Sequence, residues 1–327
     1  MRAPDDETPA GTADDGWTPD SVATGSIGAI PVPAEPTTTY RRWPGILALI
    51  IHPPISQSGA ALAAIAMTSI GPPGVVAIRQ LVAAAVLLPI ARPRFWRFSR
   101  RTLGLVALLG LATAVMNLGL YGAIDRLGLA LAVTLEFLGP LFVAVAGARR
   151  VRDFVAAALA AVGVLVLVGP GGTTDWLGVG FGLAGAAGWA SYIYLNRSVG
   201  AAVPGFQGPA LSASLGAVLT VPFLIVAAVE GRVTPLALLL AAVAGVCCSV
   251  VPMAADVFAL RRIPPRVFGV MATLNPVAAA VAAVVILHQA PTVTEWVGIA
   301  VIATANVAAT IDVRRRRARP SSEEAAA

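Results

Sequence analysis

Long apolar stretches alternate along this chain with short gaps that hold almost all of its charge. Each stretch is about 20 residues, the length at which a helix rising 1.5 Å per residue crosses a roughly 30 Å hydrocarbon core. Ten can be read: 45–67, 73–91, 102–123, 127–148, 154–170, 177–196, 208–229, 235–259, 266–287 and 293–312. The pattern predicts an all-α membrane protein of ten transmembrane helices, with a tight hairpin at 124–126 joining the third and fourth. Residues 1–42 are of another kind, rich in Pro, Thr, Asp and Ala and without an apolar run. They read as a disordered tail, and they do not open with the basic-then-apolar pattern of a secretory signal.

Composition agrees with that reading. Hydrophobic residues make up 57% of the chain and charged residues 12%, and mean hydropathy is +0.81, far from a soluble balance. Every basic residue is arginine, and the placement of the 23 sets an orientation. Clusters stand in the N-terminal tail, at 92–101, at 149–152, at Arg197, at 261–266 and in the basic tail 313–327. The opposite side holds only Arg126 and Arg232, and Arg79 lies inside the second run. By the positive-inside rule both termini are cytoplasmic. The pI near 10.3 is then a matter of topology and implies no nucleic-acid partner. Cys247 and Cys248 are adjacent within one run and read as small buried hydrophobes. His52 and His288 are too far apart for a metal site, and no hydrolase elbow, phosphate loop or zinc motif occurs. No cofactor is expected, and no enzymatic activity.

An internal repeat organises the runs. Aligning Pro140 with Pro276, an offset of 136 residues, brings Ala123 onto Ala259, Arg126 onto Arg262, Leu138 onto Leu274 and Ala144-Val145-Ala146 onto Ala280-Val281-Ala282. Asp153-Phe154-Val155 similarly matches Glu295-Trp296-Val297. Two five-helix halves result, 43–170 and 176–312. Because five is odd, the second half must be inverted relative to the first, an arrangement that places a binding site near the midplane between halves.

Polar groups within the runs are the candidate chemistry. A carboxylate at the centre of a bilayer helix costs roughly 2.5–3.5 kcal/mol on insertion scales. Glu136 is such a group, one turn before Pro140. Arg79 lies about 9 Å inside the second run, deep enough to require a partner or a ligand. In the first run Pro53 and Pro54 predict a broken helix, either beside a cavity or as a structural kink, with His52, Ser56 and Gly59 on one face. Asn117 and Tyr121 share a face of the third run. Trp189, Ser191 and Tyr192 cluster in the sixth, where Gly178, Gly182, Gly185 and Gly188 read as close-packing positions. Asp256 lies near the cytoplasmic end of the eighth run. Asn275 is the counterpart of Gly139 in the repeat, whereas Glu136 has Ala272 as its counterpart, so the acid breaks the symmetry.

Several of these segments carry a family resemblance, which covers about residues 45–312. The five-plus-five layout resembles the drug/metabolite transporter superfamily with its EamA-type repeats. Ser56-Gln57-Ser58-Gly59-Ala60, Gly71-Pro72-Pro73-Gly74-Val75-Val76-Ala77-Ile78-Arg79, Met116-Asn117 and Leu135-Glu136-Phe137-Leu138-Gly139-Pro140-Leu141 are similar to the threonine/homoserine exporter branch. Arg262-Ile263-Pro264 and Phe268-Gly269 fit more generally, while Asn275-Pro276 stands where that branch leads one to expect Glu-Pro, and Asp256 where it carries Glu. The resemblance implies a multi-pass protein of the bacterial cytoplasmic membrane that exports small polar metabolites, most of all amino acids, by alternating access and proton antiport. Substrate contacts are expected at Arg79, Glu136, Gln57, Asn117, Tyr121, Tyr192 and Asn275, and proton coupling at Glu136 and Asp256. Besides substrate, protons and lipid, a homodimer is compatible with this reading. The alternatives are a broad drug/metabolite exporter of the same fold and an intramembrane lipid-handling protein.

Overall fold

The computed structural model describes residues 43–146, 151–168, 175–203, 205–252, 255 and 274–317. The expected tail 1–42, Asp256, Arg262-Ile263-Pro264 and Phe268-Gly269 lie outside the described residues. The described residues form helices and their connectors, with no strand among them: α1 (Trp43–Ala91), a 3-10 turn Phe95–Arg97, α2 (Arg100–Leu127), α3 (Leu129–Glu136), α4 (Leu138–Ala146), α5 (Val151–Val168), α6 (Trp176–Ala202), α7 (Gln207–Val229), α8 (Pro235–Gly245) continued by a π turn Val246–Val250, α9 (Leu274–Ile286) and α10 (Val293–Arg317). α10 thus carries the last apolar run onward into the arginines of the basic tail. By length and composition α1, α2 and α7 can each cross a bilayer.

α1 merges the first two predicted runs. Its 49 residues would reach about 74 Å if straight, more than twice a bilayer core. Gly71 resolves this with φ 71 and ψ 167, a backbone conformation that only glycine adopts readily. Gly59 and Val82, almost equally far on either side of Gly71, both meet the turn Ala244–Cys248. The two arms of α1 therefore run back past each other, and the predicted connector at 68–72 shrinks to a single glycine joint. Gly128 repeats the geometry, φ 82 and ψ 167, between α2 and α3, so the hairpin foreseen at 124–126 also contracts to one residue.

Two further expectations are corrected. Pro53 and Pro54 do not break the first helix; residues 43–70 keep helical torsions through both. Neighbouring helices hold this arm in place, and such packing is what lets membrane helices tolerate proline. The fourth predicted run, by contrast, is interrupted at one residue. It divides at Phe137 into α3 and α4, because Pro140 lacks the N–H that would have bonded the carbonyl of Glu136. Phe137 itself keeps right-handed helical torsions and donates to the Val133 carbonyl, so the acid stands at a one-residue joint where the run continues as α4.

Packing relies on small residues. The central core carries Ala60, Ala63, Ala123, Ala241, Ala280 and their neighbours, drawn from α1, α2, α3, α8, α9 and α10. Gly182, Gly185 and Gly188 of α6 bear directly on α2 and α3, and a Cβ on Gly119 would overlap the backbone nitrogen of Gly185. Close backbone approach of this sort replaces the hydrophobic effect as the source of helix cohesion in lipid. Exposure supports the same solvent: Leu165, Val218, Val229 and Val285 are open on the outside, while Gln57, Arg79, Asn117, Glu136 and Asn275 are buried.

At one end of the bundle the connectors meet. Arg232 reaches Gly71, Gln289 reaches Gly128, and Arg126 pairs with Asp175 at 2.8 Å. Asp175 also caps α6 by accepting from the Gly178 N–H at 2.9 Å, and the bond from Arg126 holds its carboxyl below the usual aspartate range.

Candidate functional site

Three helices deliver the central group. The second arm of α1 carries Arg79, α2 carries Asn117 and Tyr121 one turn apart, and the C-terminal end of α3 carries Glu136. Arg79 is 7% exposed, Glu136 7% and Tyr121 0%, so all three are withdrawn from bulk solvent. Arg79 donates from Nη1 to Oδ1 of Asn117 at 2.9 Å, and its guanidinium carbon lies 4.8 Å from the centroid of the Tyr121 ring. A stacked cation of this kind, once desolvated, is worth about 2 kcal/mol. Asn117 is itself held, donating from Nδ2 to the Thr113 carbonyl at 2.8 Å, and Thr113 shares a hydroxyl hydrogen bond of 2.9 Å with Ser212 of α7.

Glu136 is within electrostatic reach of Arg79 but forms no direct ion pair with it among the described residues. Three buried donors also lack hydrogen-bond partners among those residues: Nε of Arg79, the hydroxyl of Tyr121 and, against Gly216 of α7, Nε2 of Gln80. Leaving such groups unmade typically costs about 1–3 kcal/mol each, more where charge is involved. The centre therefore holds a cation, an acid and a hydroxyl buried among helices, with donor capacity unspent on Arg79 and Tyr121.

Gln57, on the first arm of α1, donates to Oδ1 of Asn275 at the start of α9, at 3.3 Å. This bond joins the two expected repeats. The backbone carbonyl of Ser56 beside it accepts from the Cys248 thiol at 3.1 Å, and Cys248 in turn borders Arg79 and Tyr121. Tyr192 is placed elsewhere: it packs with Val106, Leu109, Val199 and Val203, in a cluster separate from the core that contains Tyr121. Phe137 and Trp189 make an edge-to-face pair at 4.9 Å, securing the chain immediately after Glu136 against α6.

Sequence reasoning missed Thr113, Ser212 and Cys248. Thr113 was accessible to it, lying four residues before Asn117 on the same helical face. Ser212 comes from a distant element and nothing local marks it, while Cys248 by its sequence reads only as a small buried hydrophobe. The π turn carrying Cys248 likewise has no sequence signal, although such turns recur at functional sites.

Comparison with known proteins bears on this arrangement. Residues 176–310 match the EamA-like transporter family. The chain is 31% identical over 283 residues to the threonine/homoserine exporter RhtA of Salmonella typhimurium, covering 84% of this chain and 93% of that protein. The RhtA of Escherichia coli strain K12 is 30% identical over the same coverage. One solved crystal structure, 19% identical, superposes with a TM-score of 0.53 over 85% of this chain and all of its own, a likeness of fold. The exporter relatives and the apolar helices together make this a multi-pass protein of a bacterial inner membrane. The chain belongs to the EamA-type transporters, in the branch of the threonine/homoserine exporters.

Proposed function

We propose that the chain is a secondary active exporter of small polar amino acids of the threonine/homoserine type, driven by proton antiport through alternating access of two inverted repeats, 43–170 and 176–312. One observation carries the reading: Arg79 and Glu136 are buried on neighbouring helices without pairing to one another. Uncompensated charge in a low-dielectric interior is costly, and a ligand bearing both signs relieves it. An amino-acid zwitterion is such a ligand. Its carboxylate meets Arg79, and its ammonium meets Glu136. Glu136 carries the coupling proton and exchanges it for the ammonium, so that one carboxylate serves proton and substrate in turn. Asp256, outside the described residues, is the second proton-coupling candidate.

The repeat reading rests on the 136-residue offset that aligns Pro140 with Pro276 in the sequence. It also draws support from the gathering of alternate connectors at one end of the bundle. The names of the relatives favour amino acids over lipophilic drugs. The test is transport in vesicles with an imposed pH gradient. Wild-type protein should accumulate threonine in response to the gradient, and Glu136→Gln should lose that response. Gradient-driven transport undiminished in Glu136→Gln would remove the acid from coupling.

A further inference from the structure

Arg79 and Tyr121 leave two buried donors unused, on groups that lie against each other. The use already made of the guanidinium decides what remains. Nη1 is committed to Asn117 and the face is committed to the Tyr121 ring, which leaves the side edge formed by Nε and Nη2. That edge is the fork that grips the two oxygens of a carboxylate in parallel. The Tyr121 hydroxyl lies beside the same guanidinium and the Cys248 sulfur; its oxygen faces the arginine as an acceptor, and its proton adds a further donor. Arginine offers no acceptor at all, so the group addresses a ligand rich in lone pairs. Asn117 is held through Nδ2 by the backbone carbonyl of Thr113, and the Thr113 hydroxyl meets Ser212 of α7, so Oδ1 of Asn117 is presented to the guanidinium from a hydrogen-bonded position on α2.

We propose that the Nε edge of Arg79 and the hydroxyl of Tyr121 form a carboxylate clip, and that Asn117 is the positioning residue that turns this edge toward the substrate. The proposal rests on the amino-acid reading above and sharpens it: the protein demands a free carboxylate, and Tyr121 helps to enforce that demand.

Proteoliposome transport of threonine, with threoninamide as a competitor lacking the carboxylate, tests the clip. Tyr121→Phe keeps the ring over Arg79 and removes only the oxygen. It should raise the KM for threonine about tenfold, the worth of one hydrogen bond to a charged group, with turnover within about twofold of wild type. The inhibition constant of threoninamide should be the same for both proteins. Asn117→Ala should also raise the KM for threonine and shrink the preference for threonine over threoninamide, a ratio that mere loosening of the helices would not move. An unchanged KM in Tyr121→Phe, or an equal shift for threoninamide, overturns the clip while leaving amino-acid export standing. A wild-type protein that moves no amino acid overturns the export reading and the clip together.

Discussion

Arg79 shows how one side chain can be both satisfied and unfinished. Its hydrogen bond to Asn117 and its stacking on Tyr121 offset part of the cost of burying a cation, yet Nε is left unpaired. Lysine could not reproduce this. An ammonium is a point charge without a planar face or a fork, so the substitution keeps the sign and discards the geometry. Arg79→Lys is therefore expected to reduce threonine transport more than tenfold while the protein still inserts, as read by uptake in vesicles against membrane abundance. Retention of near wild-type uptake would make the positive charge alone sufficient.

Among elements, the glycines decide how closely the helices approach. α2 and α6 touch through Gly119, Gly185 and Gly188, with backbone against backbone. That contact fixes the depth and rotation of α2, and with them the positions of Asn117 and Tyr121. Overpacking a tight interior commonly costs about 1–3 kcal/mol. Gly119→Val should accordingly lower the melting temperature of the detergent-purified protein, and threonine uptake should fall with it because α2 is pushed away from α6. Unchanged melting would mean that the two helices have room to separate. The division of α3 from α4 works at the same scale. Pro140 withholds one backbone donor, α3 ends at Glu136, and Gly139 lets α4 lie against the Ala186 carbonyl.

For the molecule as a whole, the distribution of polarity is reversed relative to a soluble domain, with apolar side chains facing out and the ionisable centre inside. Lipid as solvent explains this, because nothing is gained by hiding an apolar side chain from hydrocarbon, whereas a charge must be sheltered. The connectors carrying Arg126, Asp175, Glu230 and Arg232 gather at one end. The positive-inside rule predicts that this end faces outside the cell. In a background free of Cys247 and Cys248, Glu230→Cys should be labelled in intact cells by an impermeant maleimide, and Ala201→Cys only after the membrane is opened. The reverse pattern would invert the assigned orientation.

Sequence alone was enough for the helical class, the apolar runs, the membrane environment and the buried pair Arg79 and Glu136, because run length and the placement of charge are local properties set by the bilayer. It also made the glycines of α6 legible, since a row of small residues at helical spacing has few other uses. It did not determine where helices are interrupted: two proline residues at 53 and 54 leave a helix intact, while one at 140 follows the joint between α3 and α4. Nor did it determine which polar residues meet. Tyr192 and Tyr121 look alike as tyrosines in apolar runs, but the packing of α2, α6 and α7 puts the first in a peripheral cluster and the second against Arg79. The bond from Gln57 to Asn275 spans 218 residues, and Ser212 joins Thr113 from another helix. Such contacts depend on the approach of distant backbones, a property of tertiary packing that no local pattern contains.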